Sequence, residues 1–159
     1  MANTYELIAS YSATGTVSSI DFTSIPSTYT DLVLKVSALG NTTEGMYLQF
    51  NGSTANFSGR YLIGDGSSAL SGSLARYAGS IMLVTNTPNN TEIYIPNYAG
   101  SSYKSYSVDN AQEANATTAY VNLIAGLWSS TSAITSIKIE AANSFKQYST
   151  AYLYGVKNA

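Results

Sequence analysis

The stretch TVSSIDFTSIPSTYTDLVLKVSAL, residues 16–39, decides the fold. Apolar residues occupy every second position of its second half: Leu32, Leu34, Val36 and Ala38. A period of two is typical of a half-buried β-strand, and a helix would not arrange its apolar residues in this way. The first half predicts a shorter strand over residues 17–22, and Pro26 marks the break, because proline lacks the N–H that a strand ladder needs. The stretch therefore predicts a strand, a corner and a second strand.

Strand signals of this kind recur along the chain at intervals of about ten residues, as in a sandwich or barrel. We predict strands over residues 4–11, 17–22, 32–38, 46–50, 61–63, 81–85, 91–96, 103–108, 118–128, 133–141 and 148–156. The pattern contains no convincing helix and no internal repeat of fixed period. The expected fold is all-β: a two-sheet antiparallel β-sandwich, jelly-roll-like, of about ten strands in a single domain over residues 1–159. A closed barrel is the alternative.

Three connections between the predicted strands carry information. Asn51-Gly52 is the dipeptide best suited to a type I′ hairpin turn, because both central residues of that turn need positive φ. Residues 53–80 are rich in Gly and Ser and predict a long loop around one short strand. Such a loop is either a plain solvent-exposed excursion or an interaction surface. Residues 109–116, DNAQEANA, predict a polar connection.

The composition excludes several kinds of site. The 159 residues include no Cys and no His, which excludes a disulfide, a thiol nucleophile, an imidazole base and an ordinary zinc site. Only 10% of the residues are charged, against roughly 25% in an average soluble domain, which favours a surface that partners cover in an assembly. The scattered Lys and Arg form no basic patch, so we expect no nucleic-acid partner. No apolar run approaches the roughly 20 residues of a membrane span, and the N-terminus does not resemble a signal peptide.

Nine carboxylates are the candidates for acid–base chemistry: Glu6, Asp21, Asp31, Glu44, Asp65, Glu92, Asp109, Glu113 and Glu140. Glycosidases need two carboxylates facing each other across a sugar, and strand periodicity forces no pair of these together. Asp65 lies in a calcium-loop-like Gly-Asp-Gly, but the alternating ligands and the closing Glu are missing, so we interpret it as a turn residue. A serine nucleophile would need a base, and none is identifiable. We therefore expect no catalytic residue, no metal ligand and no cofactor, and a protein that is not an enzyme.

Tyrosine is the conspicuous residue, with 14 copies against 4 Phe and 1 Trp. Tyrosine is rigid and amphipathic, and suits subunit interfaces and sugar faces alike. One interpretation places exposed aromatic residues against a glycan: Tyr61, Tyr77, Tyr98 and Tyr103, with Trp128. The favoured interpretation places strand tyrosines in the core or at a subunit seam: Tyr148, Tyr152 and Tyr154. Trp128 closes an apolar strand, so we expect it in the core.

Three stretches together resemble a known family. They are YELIASYSATGTVSSIDFTSIPSTYTDLVLKVSA at residues 5–38, EIYIPNYAGSSYKSYSVD at residues 92–109, and AYVNLIAGLWSSTSAITSIKI at residues 119–139, followed by a closing STAYLYGVKN. The chain is similar in this order to small β-sandwich virion proteins of tailed bacteriophages, frequent in marine and cyanobacterial phages. The resemblance implies a structural module on the particle exterior, assembled in the host cytoplasm. The chain carries no shaft, collagen-like repeat or coiled coil, which favours a head-decoration protein over a fibre tip.

We therefore expect a capsid decoration (cement) protein that binds the major capsid protein or other virion proteins, as a homotrimer. The alternative is a receptor- or glycan-binding module of a tail fibre or tail tip, with a host-surface glycan as its ligand. A polysaccharide depolymerase is the least favoured. We expect contact through surface tyrosines and residues 53–80, and no single binding residue is identified.

Overall fold

A computed structural model describes residues 4–74, 81–113 and 119–157, which form two antiparallel β-sheets. The described strands are β1 (Tyr5–Ser12), β2 (Val17–Phe22), β3 (Asp31–Ser37), β4 (Glu44–Phe50), β5 (Phe57–Gly64), β6 (Ala69–Leu74), β7 (Ile81–Leu83), β8 (Asn90–Ile95), β9 (Lys104–Gln112), β10 (Tyr120–Trp128), β11 (Ile137–Phe145) and β12 (Thr150–Val156). The larger sheet has the order β1-β12-β3-β8-β9-β10-β5-β6, and the smaller sheet has the order β2-β11-β4-β7. This confirms the predicted all-β sandwich.

The pairing of the strands is that of a jelly roll with four added strands. Without β5, β6, β9 and β10, eight strands remain, and the first pairs with the eighth, the second with the seventh, the third with the sixth and the fourth with the fifth. This is a long hairpin rolled into two sheets, the arrangement of double-sheet jelly rolls. The four added strands all join the larger sheet, which they extend beyond β8.

The core lies between the two sheets and consists of alternate residues of each strand. The second half of the opening stretch forms β3, in which Leu32, Leu34 and Val36 are buried as the alternation predicts. At the added strands the core is aromatic. The Phe50 ring from β4 packs against three rings of the larger sheet, with centroid distances of 5.7 Å to Phe57, 5.6 Å to Tyr106 and 5.7 Å to Trp128. This cluster fixes the added strands to the smaller sheet.

The predicted turn at Asn51-Gly52 forms, but it does not connect a hairpin. The φ angles of Asn51 and Gly52 are +52° and +69°, and the Ser53 N–H donates to the Phe50 carbonyl at 2.9 Å. The chain then passes from β4 in the smaller sheet to β5 in the larger sheet. The turn chemistry was therefore predicted correctly, and its place in the topology was not.

Two predicted connections are wrong. The strand predicted at residues 61–63 is confirmed but is longer, spanning residues 57–64, and residues 69–74 are a second strand paired with it and not a loop. Ser and Gly interrupt the apolar alternation in both strands, so periodicity does not detect the hairpin. Residues 109–112 continue β9 and are not a polar connection. The alternation of buried and exposed residues continues to the end of β9, but its last buried positions are the polar Asn110 and Gln112. An apolar pattern therefore does not reveal them. The remainder of the two segments, residues 75–80 and 114–116, lies outside the described residues.

Strand ends also differ from the prediction at the C-terminal part of the chain. The strand predicted from residue 133 begins at Ile137, and the strand predicted from residue 148 begins at Thr150. Tyr148 has a φ of +71° and lies in the connection before β12, where an extended strand cannot form. No helix in the described part of the chain is long and apolar enough to cross a membrane.

Candidate binding surface

The side of the larger sheet that points away from the smaller sheet forms one continuous layer of side chains, here called the outer face. The alternation is clearest in β9, where every residue from Lys104 to Gln112 is in turn buried or exposed. Its exposed residues are Ser105, Ser107, Asp109 and Ala111. The strand registers place these side chains in transverse rows with those of the neighbouring strands.

The outer face carries large apolar side chains that are about half exposed. On β5 and β10 these are Leu62 at 50%, Leu123 at 49% and Val121 at 55%. Leu62 and Leu123 are direct cross-strand partners. On the other half of the sheet the exposed residues are Tyr5, Leu7, Tyr94 and Tyr152. Exposed apolar residues are unremarkable singly, but a group of neighbouring ones makes this face a candidate interaction surface.

The two sheets differ sharply in the chemistry of their outward sides. In the smaller sheet, a transverse row pairs Asp21, Lys138 and Gln49, and the next position adds Glu140, whose carboxylate accepts from the Gln49 amide at 2.7 Å. This side is polar, as expected for a sheet face in water. Within the described residues, the exposed large apolar side chains that lie on strands all belong to the larger sheet, so they are a specific feature of that sheet.

Part of the outer face is itself packed. Val33 of β3 points outward and is only 1% exposed. Its cross-strand partners are Tyr154 of β12 and Tyr94 of β8. The Tyr154 ring meets the Tyr5 ring edge-on at a centroid distance of 6.4 Å. These side chains form a rigid platform, since each is held by a neighbour in the same layer.

A groove with a volume of about 490 Å³ crosses the outer face from β8 to β5, and we call it the central groove. Its outward-pointing lining residues are Arg60, Leu62, Glu92, Tyr94, Ser107, Asp109, Leu123 and Ala125. The floor consists of the cross-strand pair Ser107 and Ala125, and in the same row Tyr94 and Arg60 form the two walls. The groove exists because two small residues lie between two large ones.

Polar groups at the walls of the central groove are positioned by hydrogen bonds. The Tyr94 hydroxyl donates to Asp31 Oδ2 at 2.8 Å, and Asp31 Oδ1 accepts from the Asn97 N–H at 2.9 Å. The hydrogen bond to Asp31 and partial burial raise the pKa of the Tyr94 phenol. The phenol is therefore neutral at ordinary pH, and its ring is fixed as an edge of the groove.

A row of charges borders the groove. Lys35 Nζ lies 2.8 Å from Glu92 Oε2, and this hydrogen bond raises the pKa of Lys35. Asp109 is the cross-strand partner of Glu92, a like-charged pair that Lys35 neutralises only in part. Arg60 Nη1, on the other wall, donates to its neighbouring Gly59 carbonyl at 2.9 Å. The groove thus combines apolar surface with carboxylates on one side and a guanidinium on the other.

The aromatic residues predicted to lie exposed against a glycan differ in their burial. Tyr103 is exposed, as predicted. Tyr98 is completely buried, with its hydroxyl donating to the Pro26 carbonyl, so its prediction as an exposed residue is wrong; burial raises its pKa. Tyr61 points to the inner side of β5. Trp128 lies in the core, as predicted, and Tyr77 lies outside the described residues.

The tyrosines predicted to fill the core or a seam are not core residues. Tyr148 is 76% exposed and Tyr152 is 40% exposed, and Tyr154 is partly buried in the platform on the outer face. Ala151, Leu153 and Gly155 supply the buried side of β12, so Tyr152 and Tyr154 point outward, and Tyr148 lies in the turn before the strand. A role for these tyrosines at a subunit seam stays a prediction.

Sequence reasoning missed the central groove because both sides of β10 are apolar. Val121, Leu123 and Ala125 look like a core-facing series, yet Asn122, Ile124 and Gly126 are the buried ones. A signal was present in the length of the apolar run, since a strand that is apolar on both sides is typically covered on both. Without the register of the neighbouring strands, that signal does not say which side meets a partner.

The structure brings one pair of the nine acidic residues together on the central groove, Glu92 and Asp109, which are cross-strand partners although strand periodicity did not predict this pairing. Among residues 4–74, 81–113 and 119–157 there is no group of three or more His, Cys, Asp or Glu side chains that could hold a metal ion. Asp65 accepts from the Ser67 and Ser68 N–H groups at 2.9 and 2.6 Å, which confirms it as a turn residue. Comparison with family models, curated proteins and solved structures gives no match.

Proposed function

We propose that this protein is a non-enzymatic structural component of a tailed-bacteriophage particle that binds the exterior of the head as a decoration protein. The observation that carries the proposal is the apolar outer face, on which Leu62, Val121 and Leu123 are about half exposed. A protein with 10% charged residues and this surface gains stability when a partner covers it. The sequence resemblance to phage virion proteins names the kind of partner.

The fold is compatible with this role. Double-sheet jelly rolls occur among viral capsid proteins and lectins. Because proteins of unrelated function share such folds, the fold supports a role in a virus particle but does not establish it. The four added strands are more specific, since they carry most of the central groove and enlarge the sheet on the side where the apolar residues lie.

A decoration protein stabilises a shell by binding the assembled state and not the free subunits. The gain follows from mass action and grows with occupancy. Many weak contacts repeated by the symmetry of the shell add up to a large effect. A rigid platform suits this purpose, because side chains already held in place by neighbours lose little conformational freedom on binding.

The first experiment is the copy number of this protein in purified particles, by quantitative mass spectrometry against the major capsid protein. We expect a simple ratio to the shell subunits. A second arm adds the Leu123→Glu variant to particles that lack the protein. The new glutamate places a charge in the apolar part of the central groove, so the affinity of this variant for the particles should fall by about tenfold or more.

The matched control is Thr23→Glu, at an exposed position beside the smaller sheet. It adds the same charge and should bind like the unmodified chain. Circular dichroism checks that both variants fold. A ratio of only a few copies per particle, absence from the particle, or equal binding of the two variants would contradict the proposal.

A second candidate function, binding of a host-surface glycan on a tail fibre or tail tip, is favoured by the central groove. An aromatic wall at Tyr94 next to Glu92, Asp109 and Arg60 offers a stacking surface with acceptors and a donor. Tyr94→Ala separates the two functions. Loss of glycan binding with unchanged particle stability would favour the tail module, and loss of particle stability with no glycan binding would favour decoration.

A further inference from the structure

The two sheets end in four edge strands, and three of them carry features that prevent strand addition. In β1 the register shifts between Leu7 and Ala9, and Glu6 forms an ion pair with Lys157 at 2.7 Å. The edge strand β2 carries Asp21, and β7 has only three residues. Bulges, charges and short length are the usual protections of a sheet edge against pairing with another chain.

The fourth edge strand, β6, has none of these protections. Its sequence ALSGSL, residues 69–74, contains no charge and no proline. It pairs with β5 in an unbroken register from Gly59 to Gly64, and within the described residues β5 is its only partner. Leu70 is 56% exposed, the largest exposed fraction among the leucines named above. An edge of this length and composition is a template for another strand.

Five of the six residues of β6 form a palindrome about Gly72: Leu70-Ser71-Gly72-Ser73-Leu74. In an antiparallel pair of two identical strands centred on this glycine, Leu70 lies opposite Leu74 of the second copy and Ser71 lies opposite Ser73 of the second copy. Every cross-strand pair then joins like with like, leucine to leucine and serine to serine. Such self-complementarity is what a two-fold symmetric contact requires.

We propose that β6 is a self-association edge at which two copies of this chain pair antiparallel about Gly72. The two larger sheets then form one continuous sheet across the two-fold axis. The backbone N–H and C=O groups on the side of β6 that points away from β5 then pair with the second copy, and the exposed Leu70 gains an apolar neighbour.

The surroundings of Gly72 fit this contact. The Tyr61 ring lies over Gly72 on the inner side, where an added Cβ would come 2.5 Å from the Tyr61 hydroxyl oxygen. A cavity of about 160 Å³, lined by Tyr61, Ile63, Leu74 and Ile124, lies beside it. Leu70 of the second copy continues this apolar inner surface. The outer side of β6 at the axis carries the small Ser71 and Ser73, and the larger Arg60 and Leu62 lie one strand farther from the axis, on β5.

This inference goes beyond the proposed function, because it concerns the isolated chain and holds whether or not the chain decorates a particle. It also replaces the expected trimer by a two-fold assembly. A dimer that does not bind particles would count against decoration and leave the β6 contact intact.

The test is sedimentation equilibrium of the purified full-length chain and of two double variants. Ser71→Lys with Ser73→Lys places lysines opposite lysines, and Ser71→Glu with Ser73→Glu places carboxylates opposite carboxylates. We expect the unmodified chain to be a dimer. Each double variant should dissociate about tenfold or more readily, since like charges directly opposite each other repel in two symmetric places. A 1:1 mixture of the two variants should restore a heterodimer.

The mixture keeps the test independent of folding, because a misfolded variant would not recover on mixing. Ser10→Lys, on the exposed part of β1 at the opposite edge, is the matched control and should remain dimeric. A monomeric or trimeric unmodified chain overturns the proposal. So does a dimer that both double variants leave unchanged, which would place the contact on another surface such as the outer face.

Discussion

The ring of Tyr106 lies directly over the α-carbon of Gly126, its cross-strand partner on β10. A Cβ at position 126 would come 1.9 Å from the Tyr106 ring carbon Cζ, closer than any real contact allows. Tyr106 is buried, and its ring packs edge-on against Phe50 at 5.6 Å. The glycine therefore makes room for the ring that anchors the added strands to the core.

Gly126→Ala should destabilise the protein by about 3 kcal/mol, since the ring is confined and must shift out of its packed position. Urea unfolding followed by circular dichroism measures this loss. Gly64→Ala is the control, because no atom lies within 4 Å of the added Cβ and the residue lies in β5 without positive φ. That variant should be as stable as the original or slightly more so. Equal stability of the two variants would contradict the steric role of Gly126.

Asn51 connects its turn to the segment before β11, so its side chain should matter more than its exposure suggests. Its Oδ1 accepts from the Thr135 and Ser136 N–H groups at 2.8 and 3.1 Å, and its Nδ2 donates to the Ala133 carbonyl at 2.8 Å. Asn51→Ala should cost about 2 kcal/mol, because these bonds vanish and alanine tolerates positive φ poorly. Asn51→Asp keeps the acceptor and should cost about half as much. Thermal unfolding distinguishes the two, and an equal loss would contradict the role of the Oδ1 acceptor, because both variants lack only the Nδ2 donor in common.

Residues 17–22 and 32–38 show how far the sequence predicts the fold. Apolar residues at every second position identify a strand directly, and proline marks the corner between two strands. Of the hairpin of β5 and β6 only residues 61–63 were predicted, since Gly59 and Gly72 are there for close contacts with neighbouring strands, and the local pattern does not reveal those contacts. The order of the strands was likewise not predictable, because it depends on which edges meet in three dimensions.

The buried hydroxyl of Thr91, the second residue of β8, accepts two hydrogen bonds that should stabilise the fold. Its hydroxyl oxygen accepts from Asn110 Nδ2 at 2.7 Å and from Asn89 Nδ2 at 3.0 Å, and Asn89 in turn accepts from the Ala38 N–H at 2.9 Å. Thr91→Val has the same shape but leaves two buried donors without this acceptor, which should cost about 2 kcal/mol. Thr91→Ser keeps the oxygen and should cost about 1 kcal/mol for the lost methyl group. Chemical denaturation gives both values, and a valine variant more stable than the serine variant would contradict the role of the hydroxyl.

The candidate surface was less predictable than the fold. Tyrosine abundance drew attention to aromatic residues, but Tyr98 is buried and Tyr94 was not singled out. The distinction depends on which strand lies next to which: Tyr94 becomes a groove wall only because Ser107 and Ala125 are small in the neighbouring strands. A single sequence does not contain this information in any local pattern.

The hydrogen bond from Tyr94 to Asp31 predicts a pH dependence at the alkaline end. The pKa of Tyr94 is raised above its usual value of 10.0, so the folded state favours the neutral phenol. The contribution of this hydrogen bond to the stability of the fold is fully present below pH 10 and is lost as the pH rises through the folded-state pKa of Tyr94. At pH 7, Tyr94→Phe should lower the free energy of unfolding by about 1 kcal/mol. The difference in free energy of unfolding between the original protein and this variant should shrink above pH 10. Tyr103→Phe, at an exposed position, is the control and should leave the free energy of unfolding at pH 7 unchanged.

We expect a pH dependence of stability with the opposite sign at the acidic end, caused by Asp65 in the turn that joins β5 to β6. Hydrogen bonds from the Ser67 and Ser68 N–H groups lower the pKa of Asp65 from 3.8 to about 2. Because the folded-state pKa is depressed, the contribution of this carboxylate is present above about pH 4 and is lost as the pH falls toward 2. Carboxyl-carbon NMR of the folded protein should show Asp65 titrating near pH 2. In Asp65→Asn this acid-dependent loss should disappear, since the amide does not titrate. A midpoint near 3.8 would mean that the turn does not hold the carboxylate, and β6 would then lack the anchor that fixes its register on β5.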